Sequence, residues 1–265
     1  MTLRCASSIR SLARLGFTLG LLAALAACAS KQLRLPAPGE QNADKFLFDR
    51  GTESLTAHHW LDAREYFRRL VDTFPQSPYR QDAKLGIGDS YLGENRVDSD
   101  ILAANEFREF LTFFPLNARA DYAQYKLALA QVRQMLAPQR DQTATHDALR
   151  ELDTFVKNYP TSQLLPEVLK LQREAKDRLS ESEFRIGLQY FRAKFYPGAI
   201  PRFKGIVETD PMYTHRDEVY YYLAESYYLS KQTAEAIPYY DRIVEEFAVS
   251  EYLEKAKARL AELKH

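Results

Sequence analysis

The chain has 265 residues, 46% apolar, 27% charged and 12% aromatic, enough to bury a sizeable core in one large domain or two small ones. Ten glycines and twelve prolines are too few for collagen-like, glycine-linker or many-turned β architectures. Basic and acidic residues balance at 36 each, which argues against nucleic acid as the main ligand. The only cysteines, Cys5 and Cys28, exclude a disulfide-stapled fold and a cysteine-based zinc site.

Arg4, Arg10 and Arg14 precede a mostly apolar run from Leu15 to Ala27 that ends in small residues, the shape of a bacterial secretory signal over residues 1–27. As a helix that run rises only about 20 Å, short of a hydrocarbon core of about 30 Å, so a permanent span is not expected. Leu25-Ala26-Ala27-Cys28 resembles the lipobox of bacterial lipoproteins. The resemblance implies cleavage before Cys28, which would carry an S-diacylglycerol and an N-acyl chain, palmitate among them. Ala29 is not the Asp that typically retains a lipoprotein at the inner membrane, so the expected location is the periplasmic face of the outer membrane. A product beginning at Cys28 would hold 33 basic against 36 acidic residues, a net charge of −3. Residues 28–43 read as the lipidated cysteine and a flexible tether, polar and interrupted by Pro36, Pro38 and Gly39.

From Asp44 the apolar period is helical, and five stretches share one register. They are Ala63/Phe67/Leu70/Phe74, Ala103/Phe107/Phe110/Phe114, Ala148/Leu152/Phe155/Tyr159, Ala199/Phe203/Ile206/Asp210 and Ala236/Tyr240/Ile243/Phe247. The spacing puts each set on one helical face, and Pro75, Pro115, Pro160 and Pro211 stop four of the five helices. In the fourth set Asp210 stands where the others have an aromatic ring. A first helix precedes each of these second helices, marked by Gly88 and Tyr91, by Gly187 and Tyr190, or by Ala224 and Tyr227. Ser77-Pro78 is expected to cap one such helix, with the proline at its first position. These residues resemble the tetratricopeptide repeat (TPR), matched without a gap from 180 to 213 at Gly187, Tyr190, Ala199, Phe203 and Pro211. The third repeat departs most, with Ala128 and Gln131 in place of Gly and Tyr.

The resemblance implies an all-α fold, a right-handed superhelix of about five TPR hairpins with a C-terminal capping helix. The TPR domain is expected over 44–265, with repeats at about 44–77, 78–117, 118–162, 163–213 and 214–249 and the cap at 250–265. In each hairpin the small residue of the first helix is expected to face the marker alanine, while the aromatic four residues on wedges into the next hairpin. The marker alanines are 40, 45, 51 and 37 residues apart. The excess is assigned to a loop around residues 137–142 and to a charged helical extension over 161–180. The closing segment carries Tyr252, Ala256 and Leu260 on one stripe, as a polar-backed cap requires.

Lipobox, tether and five unevenly spaced TPRs together resemble the BamD family, lipoproteins of the outer-membrane β-barrel assembly (BAM) machinery, over essentially the whole mature chain. The stretch from Ala83 to Tyr91 and on through Glu106 to Pro115 is particularly similar to that family's second repeat. The resemblance implies a non-enzymatic role: binding the periplasmic domains of BamA, receiving unfolded barrel precursors, and associating with the other BAM lipoproteins and with outer-membrane lipid through the anchor. Matching by register places a BamA-facing arginine at Arg202. Seventeen tyrosines could line a concave peptide groove, although packing within and between hairpins accounts for most of them. The alternative is another lipidated TPR scaffold, associated with pilus assembly or with Tol-Pal.

Motifs with catalytic or ligand chemistry reduce to packing. His58, His59, His146, His215 and His265 form no H-E-x-x-H pair, so no metal site is expected. Gly86-Ile-Gly88-Asp-Ser90 lacks the third glycine and preceding strand of a phosphate loop. Asp98 and Asp100 have calcium-loop spacing, but Ala103 replaces the turn glycine, and helix capping is the better reading. No catalytic residue and no cofactor other than the lipid on Cys28 are expected.

Overall fold

A computed structural model describes residues 35–37 and 41–264. The expected secretory signal, Cys5, Cys28, most of the expected tether and His265 lie outside the described residues. The described residues from Asp44 onward make one compact unit. All regular elements among the described residues are helices: α1 (Ala43–Thr56), α2 (Trp60–Thr73), α3 (Arg80–Gly93), α4 (Val97–Phe113), α5 (Ala120–Val132), α6 (Thr143–Asn158), α7 (Leu165–Arg192), α8 (Tyr196–Thr209), α9 (Arg216–Leu229), α10 (Thr233–Glu246) and α11 (Leu253–Leu263).

From α2 onward each helix packs against the next in sequence. The first helices of successive hairpins also meet, α3 with α5, α5 with α7 and α7 with α9, so they line one continuous inner face with the second helices outside. The repeated register is the core: Ala63, Phe67, Leu70, Ala103, Phe107, Phe110, Ala148, Leu152, Phe155, Ala199, Phe203, Ala236, Tyr240 and Ile243 are all essentially inaccessible to solvent. The irregular spacings fall where expected. Residues 133–142 hold no helix, and α7 runs 28 residues, its first half packed on α6 and its second half paired with α8. α11 closes the stack on α10 through Tyr252, Ala256 and Leu260.

Inside the hairpins the small residue of the first helix also makes room for the ring four residues beyond the marker alanine. A Cβ on Gly187 would lie 2.6 Å from Phe203 Cε1. Phe67 is held from both sides: a Cβ on Gly51 would meet it at 2.5 Å, and one on Gly86, in the next hairpin, at 2.4 Å. The ring therefore joins two repeats, as the wedge reading required. In the third repeat both partners change together, Ala128 facing the smaller Leu152 in one buried cluster, which keeps the summed volume near constant.

Between repeats the chain uses a latch that the sequence does not advertise. In the turn after each second helix a Ser, Thr or Asn bonds back to the preceding first helix, near its start in four cases and at the middle of the long α7 in one: Ser77 to Asp44 (2.7 Å), Asn117 to Gln81, Ser162 to Asp121 (2.6 Å), Thr214 to Asp177 (2.7 Å) and Ser250 to Asp217 (2.6 Å). The Ser77, Asn117, Ser162 and Ser250 side chains also accept from the backbone N–H two residues on, fixing the entry to the next helix. This corrects the expected cap at Ser77-Pro78, because α3 begins at Arg80 and Ser77 shapes the turn before it. Ser162→Ala should cost about 1 kcal/mol, since it removes two modest hydrogen bonds and leaves Asp121 half in solvent. A urea midpoint unchanged from the parent would show the latch to be incidental.

Asp98 and Asp100 are not caps either. Arg96 precedes α4 without a side-chain cap bond, Asp98 pairs with Arg96 at 3.7 Å in solvent, and the buried Asp100 takes the Arg133 guanidinium at 3.4 Å from the next hairpin. Asp210, read only as a missing aromatic, is a hub: it accepts two bonds from Arg173, one of them at 2.9 Å, and one from Ser180 Oγ at 2.7 Å.

Candidate interaction surfaces

Arg202 lies on the outer face of α8 beside the buried Phe203, exposed as its register requires. Its Nη1 donates to Glu183 Oε2 on α7 at 2.9 Å, and both side chains remain more than two-fifths accessible. An ion pair this exposed is worth little and can be exchanged for another carboxylate. Arg202 borders a mostly apolar groove of about 550 Å³ lined by His146, Leu179, Pro201, Gly205, Ile206 and Thr209. Space above Gly205 is open, with no atom within 4 Å of where a Cβ would stand. Glu183 as the partner was not legible beforehand, because it lies nineteen residues away on the other helix of the hairpin.

The inner face is polar and tyrosine-rich in a specific way. Tyr122 donates to both oxygens of Asp89, at 2.8 and 2.9 Å, with Lys126 Nζ at 3.5 Å. Burial pushes the Asp89 carboxyl above its ordinary range against the pull of Lys126 and Tyr122. Burial and the facing carboxylate push the Tyr122 hydroxyl well up, so it stays a donor. Tyr213 to Glu181 at 2.7 Å and Tyr252 to Glu218 at 3.2 Å repeat the pattern further along. Between α7 and α9 a cleft of about 350 Å³ has Phe184 and Leu188 among its walls, with Arg185, Arg192, Gln139 and Glu218 around them. A cleft with an apolar patch and both signs of charge suits side chains of an extended or amphipathic segment.

Most tyrosines are packing elements. Tyr66, Tyr91, Tyr213, Tyr220, Tyr240 and Tyr252 are buried, while Tyr227 stacks on Tyr239 at 5.9 Å and Tyr221 on Tyr252 at 4.6 Å. Buried Glu225 accepts the Tyr240 hydroxyl at 2.6 Å and Arg259 Nε at 2.9 Å, which ties α9, α10 and the cap together. Tyr190 differs: it is 38% exposed and leans on Phe195. Among the described residues no three His, Cys, Asp or Glu side chains are grouped to hold a metal ion, and no helix is long and apolar enough to cross a membrane.

Stacked helical hairpins with open clefts on their surface define a TPR scaffold. The family of outer membrane lipoproteins designated YfiO matches residues 40–237, and the chain belongs to that family. It is 28% identical over 206 residues to the outer membrane protein assembly factor BamD of Caulobacter vibrioides, an alignment spanning 77% of this chain and 66% of that protein. It is 22% identical over 203 residues to the protein of the same name from Xylella fastidiosa strain 9a5c, covering 71% of this chain and 68% of that one. Among solved structures, the TPR2AB domain of yeast Sti1 in its pHSP90 complex overlays with a TM-score of 0.49 at 11% identity, covering 85% of this chain and 84% of that one.

Proposed function

We propose that the chain is a non-enzymatic assembly factor of the outer membrane, anchored through lipid on Cys28 at the periplasmic face. There it binds BamA and unfolded β-barrel precursors and promotes their assembly and insertion. Membership of the YfiO family carries this reading, and the TPR scaffold supports it. In this reading the outer groove beside Arg202 receives a BamA domain that offers a carboxylate in place of Glu183, and the inner clefts receive precursor segments. Tyrosine-lined faces suit such segments because each ring offers a rigid apolar surface and a hydroxyl.

The test is co-purification from solubilised membranes. Arg202→Glu should lower BamA recovery at least about tenfold, because like charges across a contact replace an attraction. Its circular dichroism should match the parent, since the side chain is exposed. Undiminished recovery would remove Arg202 from the interface. Recovery of a pilus-assembly or Tol-Pal protein in place of BamA would assign the scaffold to a different machine.

A further inference from the structure

The corners joining first and second helices share a design. One residue adopts the left-handed conformation, at His58 (φ 59°), Asn95 (φ 52°), Lys194 (φ 59°) and Lys231 (φ 65°), and the next is the N-cap of the second helix. That next residue is His59, Arg96 or Gln232 in three corners, all polar and exposed, but in the fourth repeat it is Phe195. Phe195 is 56% exposed. It is also fixed in place: its N–H donates to Tyr190 O at 2.9 Å, its ring meets Tyr190 at 5.8 Å, and a Cβ on Gly198 would lie 2.5 Å from it. The fold thus seats a phenylalanine facing solvent on a glycine.

The surroundings are basic. From Arg185 to Val207 the chain has five basic residues and no acid. Arg185, Arg202 and Lys204 pair with Glu181, Glu183 and Glu208, but Arg192 and Lys194 at the corner form no ion pair among the described residues. Lys231 and the 36% exposed Leu229 occupy the corresponding corner of the next repeat, and Lys231 also forms no ion pair among the described residues. Exposed rings flanked by unpaired Lys and Arg are the chemistry that settles at a bilayer interface, rings at the acyl boundary and cations among anionic headgroups.

We propose that the α7–α8 corner, Tyr190 to Tyr196 with Phe195 at its tip, is a membrane-contact site for a bilayer surface carrying anionic phospholipid. This deepens the lipid-anchored reading, which is what brings a bilayer within reach. The corner orients the scaffold on the surface to which Cys28 moors it, and so limits which faces remain open to partners.

The test uses the mature chain from residue 28 with Cys28→Ser, so that the corner acts without the anchor. It should float with phosphatidylcholine vesicles containing phosphatidylglycerol, and less with pure phosphatidylcholine. Lys194→Glu, a change of two charges, should lower the partition coefficient more than tenfold, at about fivefold per basic charge. Phe195→Ser should lower it several-fold with an unchanged circular dichroism spectrum. No flotation on either vesicle, or flotation equal in all variants, would overturn the proposal. So would variants that lose binding to isolated peptidoglycan instead of vesicles. Intact-mass measurement of the membrane-extracted parent reads acylation of Cys28 separately, so failure of the anchor and failure of the corner give different results.

Discussion

Phe203→Ala should destabilise the repeat domain by about 3–5 kcal/mol, the range for deleting a buried phenylalanine ring. The ring is fully buried, stacks near Phe184 and Tyr222 with centroids 5.5 and 6.1 Å apart, and fills the space that Gly187 leaves. For a domain of this size the melting temperature should fall by about 10 °C. Because each hairpin touches mainly its neighbours, amide exchange should quicken first in α7, α8 and α9 and least in α1 to α3. The third repeat supplies a stricter test. Gly187→Ala alone should overpack and Phe203→Leu alone should leave a cavity, yet together they recreate the Ala128–Leu152 pair. The double variant should be less damaged than the sum of its parts by about 0.5–2 kcal/mol. Strict additivity would mean that the glycine and the ring are not one packing unit.

Asp210→Ala should cost about 2–3 kcal/mol near neutral pH, since it removes charge-assisted bonds from Arg173 and a bond from Ser180 in a buried position. Burial alone would raise the Asp210 pKa, but the bonds from Arg173 and Ser180 and the guanidinium charge outweigh it, so the carboxyl sits below its ordinary range. A depressed folded-state pKa contributes stability that is fully present above the unfolded value of about 3.9 and is lost as pH falls through the folded value. The gap between parent and Asp210→Ala in urea midpoint should therefore be widest at neutral pH and shrink in strong acid. A gap that stays constant, or widens as pH falls, would show that Asp210 acts by shape and not by charge.

The all-helical class, the number of hairpins, the buried face of every second helix, the extended α7 and the cap were legible in the sequence. Helical periodicity is local, and residues at i, i+4 and i+7 share a face whatever surrounds them. The exposure of Arg202 followed from the same rule, since its neighbour Phe203 had to point inward. The role of Asp210 was not legible, because its partner Arg173 lies thirty-seven residues away on a helix that two repeats share. The capping roles assigned to Ser77, Asp98 and Asp100 failed for a related reason: Ser77 bonds back to Asp44 at the far end of its repeat, Asp100 takes Arg133 from the next hairpin, and Asp98 pairs in solvent with Arg96.

What the sequence determined by itself is the repeated hairpin and its packing face, because apolar spacing along one helix suffices to specify them. What only the tertiary structure decided is which residues meet across hairpins, such as Phe67 with Gly86 and Tyr122 with Asp89. Those meetings depend on the rise and rotation between hairpins of unequal length. Uneven spacings of 40, 45, 51 and 37 residues break any fixed offset from which they could be read.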